Sequence, residues 1–174
     1  MLQRVITVAR LEANKRPWDF VKVAELVNRR TDAQFTWIGH GTLLKNFSNP
    51  DKPYIRFTGK LSEQEKTELM KSSAVYISTS EMEGFNITIG EALLHGLIVV
   101  AYDLPVYKLI YEDAIVYVPL GNVERMADSV IDALYHKDKY AERVAKGKDF
   151  VRANYSSEAI GKAVEDFLTR MLSR

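Results

Sequence analysis

The chain has 174 residues, and its 24 basic and 23 acidic side chains give a formal net charge of +1 at pH 7. This balance provides no general attraction to nucleic acid or to an anionic membrane, and we expect no nucleic-acid partner. The absence of cysteine excludes disulfide bonds and thiolate-bound zinc, and the three histidines lack metal-ligand spacing. The length fits one domain, and the lack of a signal peptide or of an apolar run of about 18 residues predicts a cytoplasmic protein.

Short apolar runs alternate with helical patterns along the chain. The runs predict six strands, at residues 5–9, 35–38, 54–57, 74–78, 97–102 and 115–118. Helices are predicted to begin at Pro17, Ser62, Ile87, Val123, Lys139 and Ser157. Strands that are apolar along their length and separated by helices are typical of a parallel sheet covered on both faces. We therefore expect an α/β fold with a doubly wound, Rossmann-like parallel sheet of about six strands and helices on both faces.

Three of the predicted helix boundaries rest on specific residues. Pro17 suits the first position of a helix, where its missing N–H is not needed. Ser62 followed by Glu65 is a capping box, which satisfies the first free N–H groups of a helix. Gly96 suits the end of the helix that begins at Ile87, because glycine readily adopts the left-handed conformation found there.

Basic side chains follow the first predicted strand, at the edge of the sheet where ligands bind in folds of this kind. Arg10 and Lys15 both lie in this loop. Arginine can bind two oxygens at once and lysine acts as a point charge, so the pair can bracket a diphosphate. The alternative interpretation is that both side chains are simply solvated. Gly39 and Gly41 follow the second strand, and we expect a flexible turn there.

The segment between the fourth strand and the next helix contains the most residues that indicate a ligand-binding site. Gly84 lets the backbone approach a ligand, and the helix that begins near Ile87 points free N–H groups at the same space, which suits a phosphate. Glu83 precedes this helix and Glu91 lies about one turn into it. Ionised carboxylates accept hydrogen bonds strongly from sugar and ribose hydroxyls. The alternative is that the two glutamates only complement the helix dipole.

In their order and context these residues resemble the C-terminal half of the family 4 retaining glycosyltransferases, which have the GT-B fold. The resemblance runs from about residue 4 to residue 168. The motifs that carry it are Val8-Ala9-Arg10-Leu11 with Lys15, Gly39-x-Gly41, Phe57-x-Gly59, Ser80-x-x-Glu83-Gly84-Phe85 with Glu91-Ala92, and Val118-Pro119-x-Gly121-Asn122. The chain departs from the family at Ala9 and Asn86, two positions where glycine is common.

The resemblance implies a role for each residue at this edge of the sheet. Arg10 and Lys15 would hold the donor diphosphate and Glu83 would contact hydroxyls of the transferred sugar, so these three are the implied catalytic residues. Glu91 would bind the ribose. The donor would be covered by the backbone of Gly84, Phe85, Asn86, Ile87 and Thr88. The family needs no metal and no cofactor, because cations and a helix terminus offset the charge of the leaving group.

The resemblance also implies a retaining hexosyltransferase whose nucleotide-sugar-binding domain is formed by residues 1–174. The hexose would move from a nucleoside-diphosphate sugar, with UDP favoured over GDP, to a saccharide or lipid-linked acceptor. The alternatives are a nucleotide-sugar epimerase of the same fold and a non-catalytic α/β binding module.

Family members have a second, N-terminal half, and this chain begins where the C-terminal half begins. We expect the partner half on the same full-length chain or on a separate subunit, and through it a peripheral association with the membrane. Residues 157–172 are predicted to form a C-terminal helix that packs either on that half or on its own domain. The isolated chain is expected to transfer little sugar.

Overall fold

The computed structural model describes residues 3–47, 51–156, 162, 165 and 171. Its centre is a six-stranded sheet in the order β3-β2-β1-β4-β5-β6, in which every neighbouring pair is parallel. The strands are β1 (Arg4–Val8), β2 (Gln34–Ile38), β3 (Ile55–Phe57), β4 (Val75–Ser78), β5 (Ile98–Tyr102) and β6 (Val116–Val118). The predicted fold class and all six predicted strands are confirmed.

Helices connect the strands and cover both faces of the sheet. They are α1 (Pro17–Asn28), α2 (Leu44–Phe47), α3 (Glu63–Lys71), α4 (Ile87–Leu94), α5 (Pro105–Tyr111), α6 (Val123–Tyr135) and α7 (Ala141–Tyr155). The short helices α2 and α5 were not predicted. Helix α7 begins two residues later than predicted, because a 3-10 helix occupies Lys137–Tyr140. The predicted C-terminal helix, residues 157–172, lies outside the described residues apart from positions 162, 165 and 171.

The predicted helix boundaries follow from local hydrogen bonding. Ser62 and Glu65 form the capping box, with the Ser62 hydroxyl accepting from the Glu65 N–H and the Glu65 carboxylate accepting from the Ser62 N–H. Gly96 follows the last turn of α4 with a φ of 79°, and its N–H donates to the Leu93 carbonyl. Pro17 occupies the first turn of α1. All three boundary predictions are confirmed.

Two apolar layers hold the helices to the sheet, because successive residues of a strand point to opposite faces. On one face Val5 packs with Phe20 of α1 and with Trp37 of β2. The rings of Phe20 and Trp37 meet edge to face at a centroid distance of 5.2 Å. On the other face Ile6 belongs to the core that α4, α5 and α7 cover. No helix among the described residues is long and apolar enough to cross a membrane.

The order of the strands creates a crevice at the carboxyl edge of the sheet. Strand β1 lies between β2 and β4, with Val5 opposite Phe35 on one side and Val75 on the other. The chain winds outward in one direction from β1 to β3 and in the other from β4 to β6. The loops after β1 and β4 therefore leave toward opposite faces, and ligands of doubly wound sheets bind where such loops separate.

Candidate functional site

Two predicted site residues, Lys15 and Glu83, meet at the point where the strand order reverses. The Lys15 Nζ donates to Glu83 Oε1 at 2.6 Å, and the two side chains are 15% and 12% exposed. Lys15 ends a 3-10 helix after β1, and Glu83 lies in the loop after β4. The lysine that was predicted to bind phosphate and the glutamate that was predicted to bind sugar hydroxyls are therefore bonded to each other.

The Glu83 carboxylate is held in one orientation by several donors. Besides Lys15, the Ser80 hydroxyl donates to Glu83 Oε1 at 2.8 Å and the Asn86 Nδ2 donates to it at 3.1 Å. Among the described residues no hydrogen bond reaches the other carboxylate oxygen, Oε2. The arrangement leaves one strong acceptor at the site with unused capacity.

Asn86 links this carboxylate to helices α4 and α5. It precedes α4 in the left-handed conformation, with a φ of 51°, which asparagine tolerates better than most residues. Its Nδ2 also donates to the Tyr107 hydroxyl at 2.7 Å, and its Oδ1 accepts from the Thr88 hydroxyl at 2.8 Å. Burial raises the pKa of Tyr107 above its usual range, so this hydroxyl stays protonated and available to the network.

The start of α4 faces the same crevice with little protein over it. Among the described residues no side chain caps the helix, and its first N–H groups carry the positive end of the helix dipole. Gly84 has open space where a Cβ would lie, and its φ is not in the left-handed region. Phe85 is partly exposed and packs edge to face on Tyr155, and Ile87 is largely exposed. The backbone of residues 84–88 is thus accessible to a ligand.

Arg10, the third predicted catalytic residue, is not in contact with Lys15 or Glu83. Its side chain is 80% exposed and its guanidinium lies 3.3 Å from Glu12 Oε1. Glu12 also accepts from the hydroxyl and the N–H of Thr42, and these bonds lower the pKa of its carboxyl. Arg10 follows β1 at the carboxyl edge, as predicted, but its side chain points into solvent.

Glu91 is paired with a different lysine. The Lys66 Nζ on α3 lies 3.0 and 3.1 Å from the two Glu91 carboxylate oxygens and 2.7 Å from Glu63 Oε2. Burial acts to lower the pKa of Lys66, but its bonds to Glu63 and Glu91 outweigh this effect, and the pKa lies above its usual value. Glu83 therefore precedes α4 and Glu91 lies about one turn into it, and each is paired with its own lysine.

The two glycines after β2 pack tightly rather than forming the predicted flexible turn. A Cβ on Gly39 would lie 1.9 Å from the Ala9 carbonyl oxygen, and one on Gly41 would lie 2.3 Å from the Leu11 carbonyl oxygen. The prediction of a flexible turn was wrong because it considered only the freedom of glycine. Here the small residue allows close backbone contact with the loop that carries Arg10.

Sequence reasoning missed a polar network directly beside Lys15, which is buried at Asp19 and Tyr102 and exposed at Glu81. Arg16 donates to Asp19 through Nε at 2.7 Å and to Glu81 through Nη1 at 3.0 Å, and the Tyr102 hydroxyl donates to Asp19 at 2.7 Å. An acidic residue in the first turn of a helix that follows an arginine was an available signal for the Arg16–Asp19 pair. In the described part of the chain no three His, Asp or Glu side chains come together as a metal site would require.

Comparisons with known proteins agree with this geometry. The family model described as Glycosyl transferases group 1 matches residues 3–136. The phosphatidyl-myo-inositol mannosyltransferase of Mycobacterium leprae is 33% identical over 127 residues, which are 70% of this chain and 34% of that protein. The chain thus spans about a third of the length of this curated relative.

Solved structures share the fold. An S. aureus TarM mutant in complex with Fondaparinux, alpha-GlcNAc-glycerol and UDP superposes with a TM-score of 0.79 at 21% identity, over 97% of this chain and 36% of that one. The pneumococcal O-GlcNAc transferase GtfA in complex with UDP and GlcNAc gives 0.74 at 20% identity, over 94% of this chain and 35% of that one. The sheet is the Rossmann-like half of a GT-B fold, as predicted. With a family model that matches most of its length, the chain belongs to the Glycosyl transferases group 1 family.

Proposed function

We propose that this chain is the donor-binding domain of a retaining hexosyltransferase and that the crevice between the β1 and β4 loops holds a nucleoside-diphosphate hexose. The observation that carries the proposal is the Lys15–Glu83 pair, 2.6 Å apart at the switch point and beside the uncapped start of α4. A cation and free N–H groups suit the diphosphate, and a fixed carboxylate with a free oxygen suits the hydroxyls of the attached hexose.

In this reaction the bond between the sugar C1 and the phosphate oxygen breaks and a bond from C1 to the acceptor oxygen forms. Negative charge builds on the diphosphate as it leaves, and the proton of the acceptor hydroxyl passes to an oxygen of the leaving diphosphate. Lys15, Arg10 and the start of α4 would stabilise that charge, which is the expected main contribution of a preorganised site. These groups supply the compensation without a metal ion or a cofactor.

The remaining roles follow from position. Glu91, about one turn into the same helix, would accept from the ribose hydroxyls, and the backbone of residues 84–88 would cover the sugar and phosphates. Two of the structural relatives were solved with UDP, which supports a UDP-hexose as the donor. The sequence relative is a mannosyltransferase, which makes a mannosyl donor the second candidate. The acceptor would be a saccharide or a lipid-linked sugar, bound mainly by an N-terminal half.

Titration calorimetry of the chain with UDP, GDP and their hexose conjugates tests the proposal. We expect one nucleotide to bind, the corresponding sugar nucleotide to bind more tightly, and Glu83→Ala to abolish that difference. Arg10→Ala should weaken both. Arg30→Ala is the matched control, because Arg30 forms an exposed pair with Asp128 away from the crevice. If a folded sample binds no nucleotide, or if Glu83→Ala and Arg10→Ala bind as the parent does, the site is misassigned.

An epimerase of the same fold would use the same donor site but no acceptor. NMR of the sugar nucleotide incubated with the protein that carries both halves separates the two activities. A transferase releases the nucleoside diphosphate in proportion to the acceptor supplied, whereas an epimerase changes the sugar configuration in the absence of any acceptor.

A further inference from the structure

Arg16 joins the two loops that carry Lys15 and Glu83. Its Nε donates to Asp19 Oδ2 in the first turn of α1, and its Nη1 donates across the crevice to Glu81 Oε2 in the loop after β4. The two carboxylates use different nitrogens of one planar guanidinium, a geometry that lysine cannot reproduce. One side chain thus connects both sides of the site.

The Asp19 end of this connection is anchored in the core. Asp19 is 3% exposed, and its Oδ2 also accepts from the hydroxyl of Tyr102, a fully buried residue of β5. Burial, and then the bond to Asp19, raises the pKa of Tyr102 above its usual range, so the hydroxyl remains a donor. A buried carboxylate with two donors is costly to disturb, and it therefore gives Arg16 a fixed point of attachment.

The backbone at Arg16 is strained. Its φ is 49°, in the left-handed region, which is unfavourable for a residue with a Cβ. Such a conformation persists only when surrounding contacts hold it. The bonds to Asp19 and Glu81, and the Trp18 ring 5.9 Å from the guanidinium, are contacts of this kind.

The Arg16 connection lies next to the residues that are proposed to contact the donor. Next to Arg16, the Glu81 N–H donates to the Asn14 carbonyl at 3.0 Å and the Thr79 hydroxyl donates to the Lys15 carbonyl at 2.7 Å. Lys15 is the residue directly before Arg16, and Glu83 lies two residues after Glu81. Any separation of the loops at Arg16 would change the distance between the Lys15 ammonium and the Glu83 carboxylate.

We propose that Arg16 is a positioning residue: bridging Asp19 and Glu81, it fixes the β1 and β4 loops together and holds Lys15 and Glu83 at the spacing that a diphosphate sugar requires. Arg16 acts through Lys15 and Glu83, and its guanidinium does not bind the phosphates. The effect on ligand binding rests on the proposed function, whereas the coupling between the loops does not.

The loop coupling is tested first, without ligand, by amide hydrogen exchange. In Arg16→Gln and Arg16→Lys the Glu81 amide, whose acceptor is the Asn14 carbonyl, should exchange about tenfold faster than in the parent chain. Exchange in the core strands, measured in the same experiment, reports any general loss of stability and serves as the internal reference. Unchanged exchange at Glu81 would refute the connection.

Nucleotide binding gives a second test, in which an electrostatic effect and a positioning effect predict opposite changes in affinity. Glu81→Gln removes a negative charge near the site, so a purely electrostatic effect, or a guanidinium freed to bind phosphate, would tighten the binding of a nucleoside diphosphate. Positioning predicts instead that Glu81→Gln weakens binding about threefold to tenfold. Asp128→Asn, which breaks the exposed Arg30–Asp128 pair, is the matched control and should leave binding unchanged.

The double variant completes the measurement. If Arg16 and Glu81 act as one unit, Arg16→Gln combined with Glu81→Gln should weaken binding no more than the stronger single change. Tighter binding by Glu81→Gln, or effects that multiply in the double variant, would overturn the proposal. If the parent chain binds neither UDP nor GDP, the proposed function fails, and the exchange rates at Glu81 still decide whether the connection exists.

Discussion

Replacing Lys15 by methionine tests whether the ion pair at the switch point forms in solution. The change preserves most of the side-chain volume but removes the ammonium that donates to Glu83 at 2.6 Å. Exposed pairs contribute about 0–1 kcal/mol, and breaking a fully buried pair costs about 3–5 kcal/mol. With side chains 15% and 12% exposed, this pair lies between the two cases. We expect Lys15→Met to lower the free energy of unfolding by about 2 kcal/mol.

Urea denaturation of a double-mutant cycle measures this contribution. Glu83→Gln retains an oxygen for the Ser80 and Asn86 donors, so it should cost less than Lys15→Met. The double variant should lose less than the sum of the two single changes, because the second change no longer leaves a charge without its partner. Lys52→Met, which breaks a more exposed pair with Glu25, is the control and should have little effect. Strict additivity in the cycle would show that Lys15 and Glu83 do not interact, and the proposed geometry would then be wrong.

Three further changes separate stability from binding. Gly84→Ala should change the free energy of unfolding by no more than about 0.5 kcal/mol, since a Cβ there meets no described atom within 4 Å. The same change should weaken nucleotide binding in calorimetry if the backbone covers the ligand. Gly41→Ala places a Cβ 2.3 Å from the Leu11 carbonyl oxygen and should cost about 3 kcal/mol in urea denaturation, with an unaltered stability contradicting the close packing. Hydrogen bonds led by the one from Lys139 lower the pKa of Asp132 from 3.8 to about 2, so the stability that this carboxylate contributes is present above pH 4 and is lost as the pH falls toward 2. Asp132→Asn should therefore lower the free energy of unfolding by about 1 kcal/mol near neutral pH, after solvent screening, and should not lower it near pH 2. An equal loss at both pH values would refute this reasoning.

The sequence predicts the sheet well because burial on both faces leaves an unmistakable pattern. Every residue of β4 and β5 is buried, and a nearly continuous apolar run of this kind has few alternative structures. Helix α5 was missed because its seven residues, with three of them tyrosine or proline, show no clear helical period. Pro105 at its first position was the signal that could have identified it. Short helices are stabilised by packing, which the local sequence does not display.

The position of the site was predictable, but its internal partnerships were not. The rule that ligands bind at the carboxyl edge of the sheet selected the segments around Lys15 and Glu83, and the structure brings both into one crevice. That the two form a pair depends on loop conformations that bring together residues 68 positions apart. The Arg16 network escaped notice for the same reason, since Glu81 and Tyr102 are distant in sequence.

Charge compensation within the crevice determines which groups are left to attract a diphosphate. Lys15 is neutralised by Glu83, and Arg16 faces two carboxylates, so neither side chain provides a free positive charge. The exposed guanidinium of Arg10, only loosely paired with Glu12, and the dipole of α4 remain. If Lys15 binds phosphate as proposed, its ammonium must divide its hydrogen bonds between Glu83 and the ligand, and a sugar hydroxyl would replace part of what Glu83 loses. We therefore expect a complete sugar nucleotide to satisfy this pair better than a nucleoside diphosphate alone, with discrimination between the two at Glu83 rather than at Arg10.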